Sequence, residues 1–274
     1  MSSPEAVSAP AIRRIILEQS KRANVGHIGS CLSIADIVST LYGGVLDVAG
    51  PDDPERDRFI LSKGHAALAL YAALHLRGWL SEDDLATYCG DGSRLGVHPE
   101  HHLRGVDFST GSLGHGLSMG VGAALAARAQ GSQRRVFVLL SDAECNEGSV
   151  WEAAMFAAHH QLTNVVAIVD LNGQQALGYT RDILDLAPLA DRWRAFGWEA
   201  LVVDGNDPVA VASALERGPG ARPRVVVAET VFGKGVSFME SEIRWHYMPM
   251  SDAEHRRALE EVNQTPCEAR SSAR

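Results

Sequence analysis

Apolar residues recur at helical spacing in the first half of the chain and gather into short unbroken runs in the second. Residues 10–23 (PAIRRIILEQSKRA) place Ile12, Ile15 and Ile16 on one face behind Pro10, a residue preadapted to a first helical turn. The pattern predicts further helices over 33–42 (SIADIVSTLY), 65–78 (HAALALYAALHLRG) and 114–128 (GHGLSMGVGAALAAR). The second of these is apolar nearly all round and therefore buried. The third is rich in small residues that let another backbone or a ligand come close, in the core or at a subunit contact.

Beyond residue 130 the runs 136–140 (VFVLL), 165–169 (VVAIV), 200–203 (ALVV) and 225–228 (VVVA) do not alternate in polarity, so they read as strands covered on both faces. Helical segments at 148–161 and around 190–195 lie between them. Strand and helix in alternation predict an α/β fold: a doubly wound, mostly parallel sheet flanked by helices.

Composition narrows the class. The chain has 274 residues, 46% hydrophobic and 22% charged, as in ordinary globular proteins, which excludes disorder. A net charge of −9 offers no cationic field for nucleic acid. Cys31, Cys89, Cys145 and Cys267 form no CxxC pair, which favours a reducing, cytoplasmic setting over a disulfide framework or a zinc knuckle. The opening MSSPEAVSAP lacks a basic and apolar leader, and no stretch of about 18 apolar residues predicts a membrane span.

In open α/β sheets ligands bind at the carboxyl ends of the strands. VFVLL runs into Ser141-Asp142-Ala143-Glu144, and VVAIVD runs into Leu171-Asn172-Gly173-Gln174. Taken singly, an Asp after a strand reads as a helix N-cap and an Asn in a turn as a left-handed residue. Together, at equivalent places in adjacent strand and helix units, a carboxylate, an amide oxygen and a nearby carbonyl make half of an octahedral oxygen shell for magnesium. A helix start beside them adds donors for a phosphate.

This pair resembles the GDG and N signature of thiamine-diphosphate enzymes, with Ser141 and Ala143 in place of the glycines. The histidine motifs GHIG at 26–29, LSKGHA at 61–66, GVHPE at 96–100, STGSLGHG at 109–116 and Trp245-His246 occur around it in an order similar to the N-terminal, diphosphate-binding part of a transketolase. That resemblance covers roughly residues 10–250 and implies a thiamine-diphosphate-binding fold. It implies Asp142, Asn172 and the carbonyl of Gln174 as ligands of magnesium (or calcium), Ala143 and His65 beside the cofactor's diphosphate, and His246 as a further cofactor-binding residue. It places Gly111 and Leu113 against the cofactor's rings, and His27, His65, His98 and His246 around the reactive carbon, where imidazoles suit proton movement near neutrality. Glu147 matches a glutamate linking two active sites, and reads equally as a first-turn residue favoured by the helix dipole. Tyr247 follows His246 where many transketolases have glycine. His101 and His102 lack the spacing of a zinc site, His159 and His160 read as surface or capping residues, and His115 takes no chemistry.

The expected organisation is a flexible N-terminus over 1–9, a diphosphate-binding domain over 10–262 and a polar tail over 263–274. With the resemblance used up by residue 250, the family's pyrimidine-binding and C-terminal domains are not expected in this chain. The resemblance therefore implies the N-terminal subunit of a split transketolase, joined by a separately encoded pyrimidine-binding subunit, as α2β2, and acting on sugars or sugar phosphates. The alternatives are a subunit of another thiamine-diphosphate enzyme, such as a 2-oxoacid dehydrogenase E1 or a pyruvate-fed acyl- or ketol-transferring enzyme of specialised metabolism, or a non-catalytic cofactor-binding scaffold. GHGLSMGVG gives no GxGxxG, and Gly233-Lys234 gives no Walker loop, so a nicotinamide or P-loop enzyme does not fit.

Overall fold

The computed structural model describes residues 6–216, 218 and 220–264. Its strands are β1 (Arg58–Leu61), β2 (Val136–Ser141), β3 (Val165–Leu171), β4 (Gln174–Gln175), β5 (Gly178–Tyr179), β6 (Glu199–Asp204) and β7 (Arg224–Glu229). The helices are α1 (Ala9–Ala23), α2 (Ile28–Ser33), α3 (Ala35–Thr40), α4 (Ala67–Leu76), α5 (Glu82–Leu85), α6 (Gly116–Ala129), α7 (Gly148–His159), α8 (Thr180–Ile183), α9 (Leu189–Ala195), α10 (Pro208–Leu215) and α11 (Asp252–Gln264). Five strands form one parallel sheet in the order β1-β2-β3-β7-β6, and β4 and β5 form a separate antiparallel hairpin.

The uniform apolar runs follow from this geometry, because successive strand residues point to opposite faces. Phe137, Leu139, Val166, Ile168, Val226 and Ala228 enter one core with residues of α1, α3, α4 and α10. Val136, Val138, Leu140, Val165, Ala167, Val169, Val225 and Val227 enter the other with α6, α7 and α9. Both faces are covered, so no position of the central strands calls for a polar residue. Helix α4 is buried from Ala67 to Leu74, as its unbroken apolar sequence requires, and α6 lays Leu117, Val121 and Ala124 on the sheet.

Several boundaries differ from the sequence-based expectation. The helix expected over 33–42 is two short helices meeting at Ile34, followed by a wider turn at Leu41–Val45. The helix expected from residue 65 opens with a tight turn at Gly64–Ala66 and becomes α-helical only at Ala67. Strand β1, the hairpin and α11 were not foreseen. Helix α1 begins at Ala9, where Ser8 Oγ accepts from Ala11 N, and α11 runs to Gln264. The helical body thus slightly exceeds the expected limits of 10 and 262. The remainder of the expected flexible N-terminus, residues 1–5, and of the polar tail, 265–274, lies outside the described residues.

Candidate active site

The carboxyl ends of β1, β2, β3 and β7 lead into Ser62-Lys63, Asp142, Asn172 and Thr230, which brings sequence-distant polar groups to one edge of the sheet. Asp142 is 5% exposed. Its Oδ1 accepts from the N–H of Ala143 at 2.8 Å and its Oδ2 from the N–H of Gly173 at 2.9 Å, so one carboxylate joins the loops after β2 and β3. Burial, and then the nearby Asp170 carboxylate, push its pKa up to about 7. It forms no ion pair among the described residues.

Asn172 is held in one orientation. Its Nδ2 donates to Asp170 Oδ2 at 2.8 Å, while its Oδ1 accepts from the N–H of Gln174 at 2.9 Å. Asp170 is itself fully buried and paired with Lys63 Nζ at 2.5 Å, with Ser33 Oγ donating at 2.8 Å and Thr230 Oγ1 donating to its other oxygen. Four donors thus satisfy this carboxylate, as a buried charge demands. Asp142, by contrast, is buried against a second carboxylate without a cation of its own. Hard oxygen donors around such a deficit suit a small divalent cation, so the residues present fit magnesium or calcium.

Glu144 braces the same edge. It is fully buried and accepts from Ser62 Oγ, from Gly114 N at 2.8 Å and from Ser141 N at 3.3 Å. Burial raises its pKa against those hydrogen bonds.

Close to the same Lys63 three imidazoles meet. The ring centroids of His27 and His65 lie 5.5 Å apart, those of His27 and His246 5.4 Å, and those of His65 and His246 5.7 Å. His65 Nε2 and Ser30 Oγ are 2.8 Å apart. Burial lowers the pKa of all three, His65 well below the usual value, helped by Lys63, and His246 to about 4. They are neutral near pH 7, each with one nitrogen able to accept and one able to donate, His65 Nε2 being engaged by Ser30 Oγ. His98 is close enough to add to the lowering at His27 and lies against Gly111. Gly64 has no side chain because the Thr110 and Gly111 backbone crosses it: a Cβ there would fall 2.8 Å from Gly111 N. The LSKGH turn and the segment carrying Gly111 and Leu113 are therefore packed together.

Glu147 is exposed at the start of α7, beside Gly114, and makes no capping bond. His159 and His160 are exposed at the end of α7, and His115 is exposed at the start of α6. The HPEHH stretch is a loop in which His101 Nδ1 lies 3.0 Å from Ser109 Oγ. Sequence reasoning missed Lys63, Asp170, Glu144 and Ser30. The signal that could have found them was a lone acid closing an apolar strand in VVAIVD and a lysine just past another strand in LSKGH.

Residues 5–269 match the family model described as transketolase, thiamine diphosphate binding domain. The chain belongs to the transketolase family. It is 44% identical over 260 residues to an apulose-4-phosphate transketolase subunit of Actinobacillus succinogenes, covering 93% of this chain and 94% of that one. It is 39% identical over 259 residues to the 6-deoxy-6-sulfo-D-fructose transketolase subunit SqwG of Clostridium sp., again covering 93% and 94%. Among solved structures, the transketolase of Campylobacter jejuni superposes with a TM-score of 0.87 at 29% identity, over 96% of this chain but 43% of that one. Human transketolase is 34% identical over 260 residues, 41% of its length. The chain thus spans nearly all of the relatives named as transketolase subunits and about two fifths of the single-chain transketolases. Its fold is that of the thiamine-diphosphate-binding domain, and no helix among the described residues is long and apolar enough to cross a membrane.

Proposed function

We propose that this chain is the N-terminal subunit of a split, thiamine-diphosphate-dependent transketolase. It moves a two-carbon ketol unit from a ketose or ketose phosphate to an aldehyde, and it works only with a separately encoded pyrimidine-binding subunit, as α2β2 in the cytoplasm. The observation that carries this reading is coverage: the match spans almost the whole of relatives named as subunits and less than half of single-chain relatives. The three unpaired described cysteines accord with a reducing compartment.

In this reading Asp142, Asn172 and the carbonyl of Gln174 hold magnesium or calcium, with Ala143 beside the diphosphate and Gly111 and Leu113 along the rings. Bound thiamine diphosphate supplies an electron sink for breaking and making the bond next to the ketose carbonyl. The chain's own residues do the rest. The Lys63 and Asp170 pair fixes Asn172, and Asp142 bridges the two loops so that the anchor is formed before the ligand arrives. His27, His65 and His246, neutral and clustered with His98 beside them, hydrogen-bond sugar hydroxyls and carry protons to and from the substrate oxygens. Glu147 lies outside this cluster, on an exposed turn where it can meet a second active site.

The test is reconstitution. The purified chain, its candidate second subunit, magnesium and thiamine diphosphate are mixed, and ketol transfer from ketoses to aldehydes is followed. Transfer is expected only from the mixture, and activity from this chain alone would remove the split-subunit reading.

A further inference from the structure

Tyr247 stands beside the histidine cluster and has no part in the roles above. Its ring meets the His246 imidazole edge-on, with centroids 4.9 Å apart, and Phe232 stacks on the same imidazole at 6.2 Å. The Tyr247 hydroxyl donates to the carbonyl of Ala176, two residues past Gln174 in the turn between β4 and β5. The Tyr247 backbone lies against Gly26, where a Cβ would fall 2.4 Å from its carbonyl oxygen, and the N–H of His27 donates to the carbonyl of His246 at 3.2 Å. One residue therefore joins the GHIG loop, the His246 segment and the hairpin. Its side chain is 55% exposed, so burial does not account for its placement.

The hairpin needs such a tie. Its strands are two residues each, too short to be stable alone. It also carries buried polar atoms with no partner among the described residues, Gln174 Nε2 and Oε1 and Gln175 Nε2, each of which opposes the conformation in which it is stranded. A second, longer contact runs the same way, from Tyr179 Oη to Ser241 O at 3.5 Å.

We propose that Tyr247 is a positioning residue: its hydroxyl latches the turn bearing the Gln174 carbonyl onto the His246 segment, holding the metal-side oxygens and the histidines at a fixed separation. This rests on the reading of Gln174 as a metal-side oxygen. The ring orients His246 from the side, and the hydroxyl, already committed to Ala176, does not read the substrate.

Hydrogen exchange on the ligand-free chain tests the latch without any turnover. In Tyr247→Phe, which keeps the ring and removes only the hydroxyl, amides 174–179 are expected to exchange about three- to tenfold faster while those of β3 are unchanged. The magnesium-dependent affinity of the reconstituted enzyme for thiamine diphosphate should fall by a comparable factor. In the reconstituted enzyme this variant raises the KM for cofactor and nearly keeps kcat, whereas Tyr247→Gly, lacking the ring as well, lowers kcat too. Wild-type exchange in Tyr247→Phe overturns the proposal, as does faster exchange with unchanged cofactor affinity. A wild-type reconstituted enzyme that binds no cofactor overturns the underlying reading of the site instead, and the exchange rates then judge the latch by themselves.

Discussion

The two halves of the candidate site are built on opposite electrostatic plans. The half at the ends of β2 and β3 is charged and cross-braced: Lys63 and Asp170 are paired at 0% side-chain exposure, and Asp142 and Asn172 are tied to them through side-chain and backbone hydrogen bonds. The histidine half carries no charge near neutrality. Its members come from segments as far apart as residues 27 and 246, and burial holds all three pKa values down. The charged half suits a fixed anchor, since a buried pair tolerates little displacement. The neutral half suits proton traffic, since each imidazole can both give and accept.

The contrast predicts different failures on the two sides. The largest effect belongs to the anchor: Asp142→Ala is expected to abolish magnesium-dependent cofactor binding in calorimetry of the reconstituted enzyme while the chain stays folded, and an unchanged affinity would dissolve the distinction between the halves. Next comes Lys63→Met, which strands the Asp170 carboxylate in the interior. It should cost about 3–5 kcal/mol in denaturant unfolding, and a loss below about 1 kcal/mol would mean that the pair is not the brace described. On the neutral side His246→Ala should fold nearly normally and slow ketol transfer about a hundredfold in the reconstituted enzyme; full turnover would remove His246 from the proton-moving group.

The smallest effect is on acid stability. In the unfolded chain His246 takes up a proton as the pH falls past its ordinary 6.5, but in the folded chain only near 4. Acidification between those values therefore favours the unfolded state, and stability is lost on going down through that window. His246→Gln should flatten that slope, as read from denaturation midpoints at neutral and at mildly acid pH. Equal slopes in both proteins would contradict the buried neutral imidazole.

The same contrast governs what could be read from the residues alone. The central strands were legible because β2, β3 and β7 are apolar on both faces, and the histidine motifs because their order is distinctive. Strand β1 escaped notice because it is only four residues at the sheet edge and opens with Arg58. Helix α11 escaped because it buries only Ala258 and Val262 along an otherwise polar surface. The pairing of the brace was hidden for a physical reason: a lone acid and a lone lysine at strand ends mark two positions, but nothing in a sequence joins residues 107 apart until the fold brings them within 2.5 Å. The neutral half was easier, since His27, His65 and His98 sit in glycine-bearing motifs and His246 follows a tryptophan in the expected order.

The most direct measurement is an experimental structure of the reconstituted enzyme with magnesium and thiamine diphosphate. The metal is expected at about 2.1 Å from an Asp142 carboxylate oxygen, Asn172 Oδ1 and the Gln174 carbonyl, with His27, His65 and His246 facing the cofactor's reactive end. A metal held by other residues, or a cofactor bound away from this edge of the sheet, would contradict the assignment of the site.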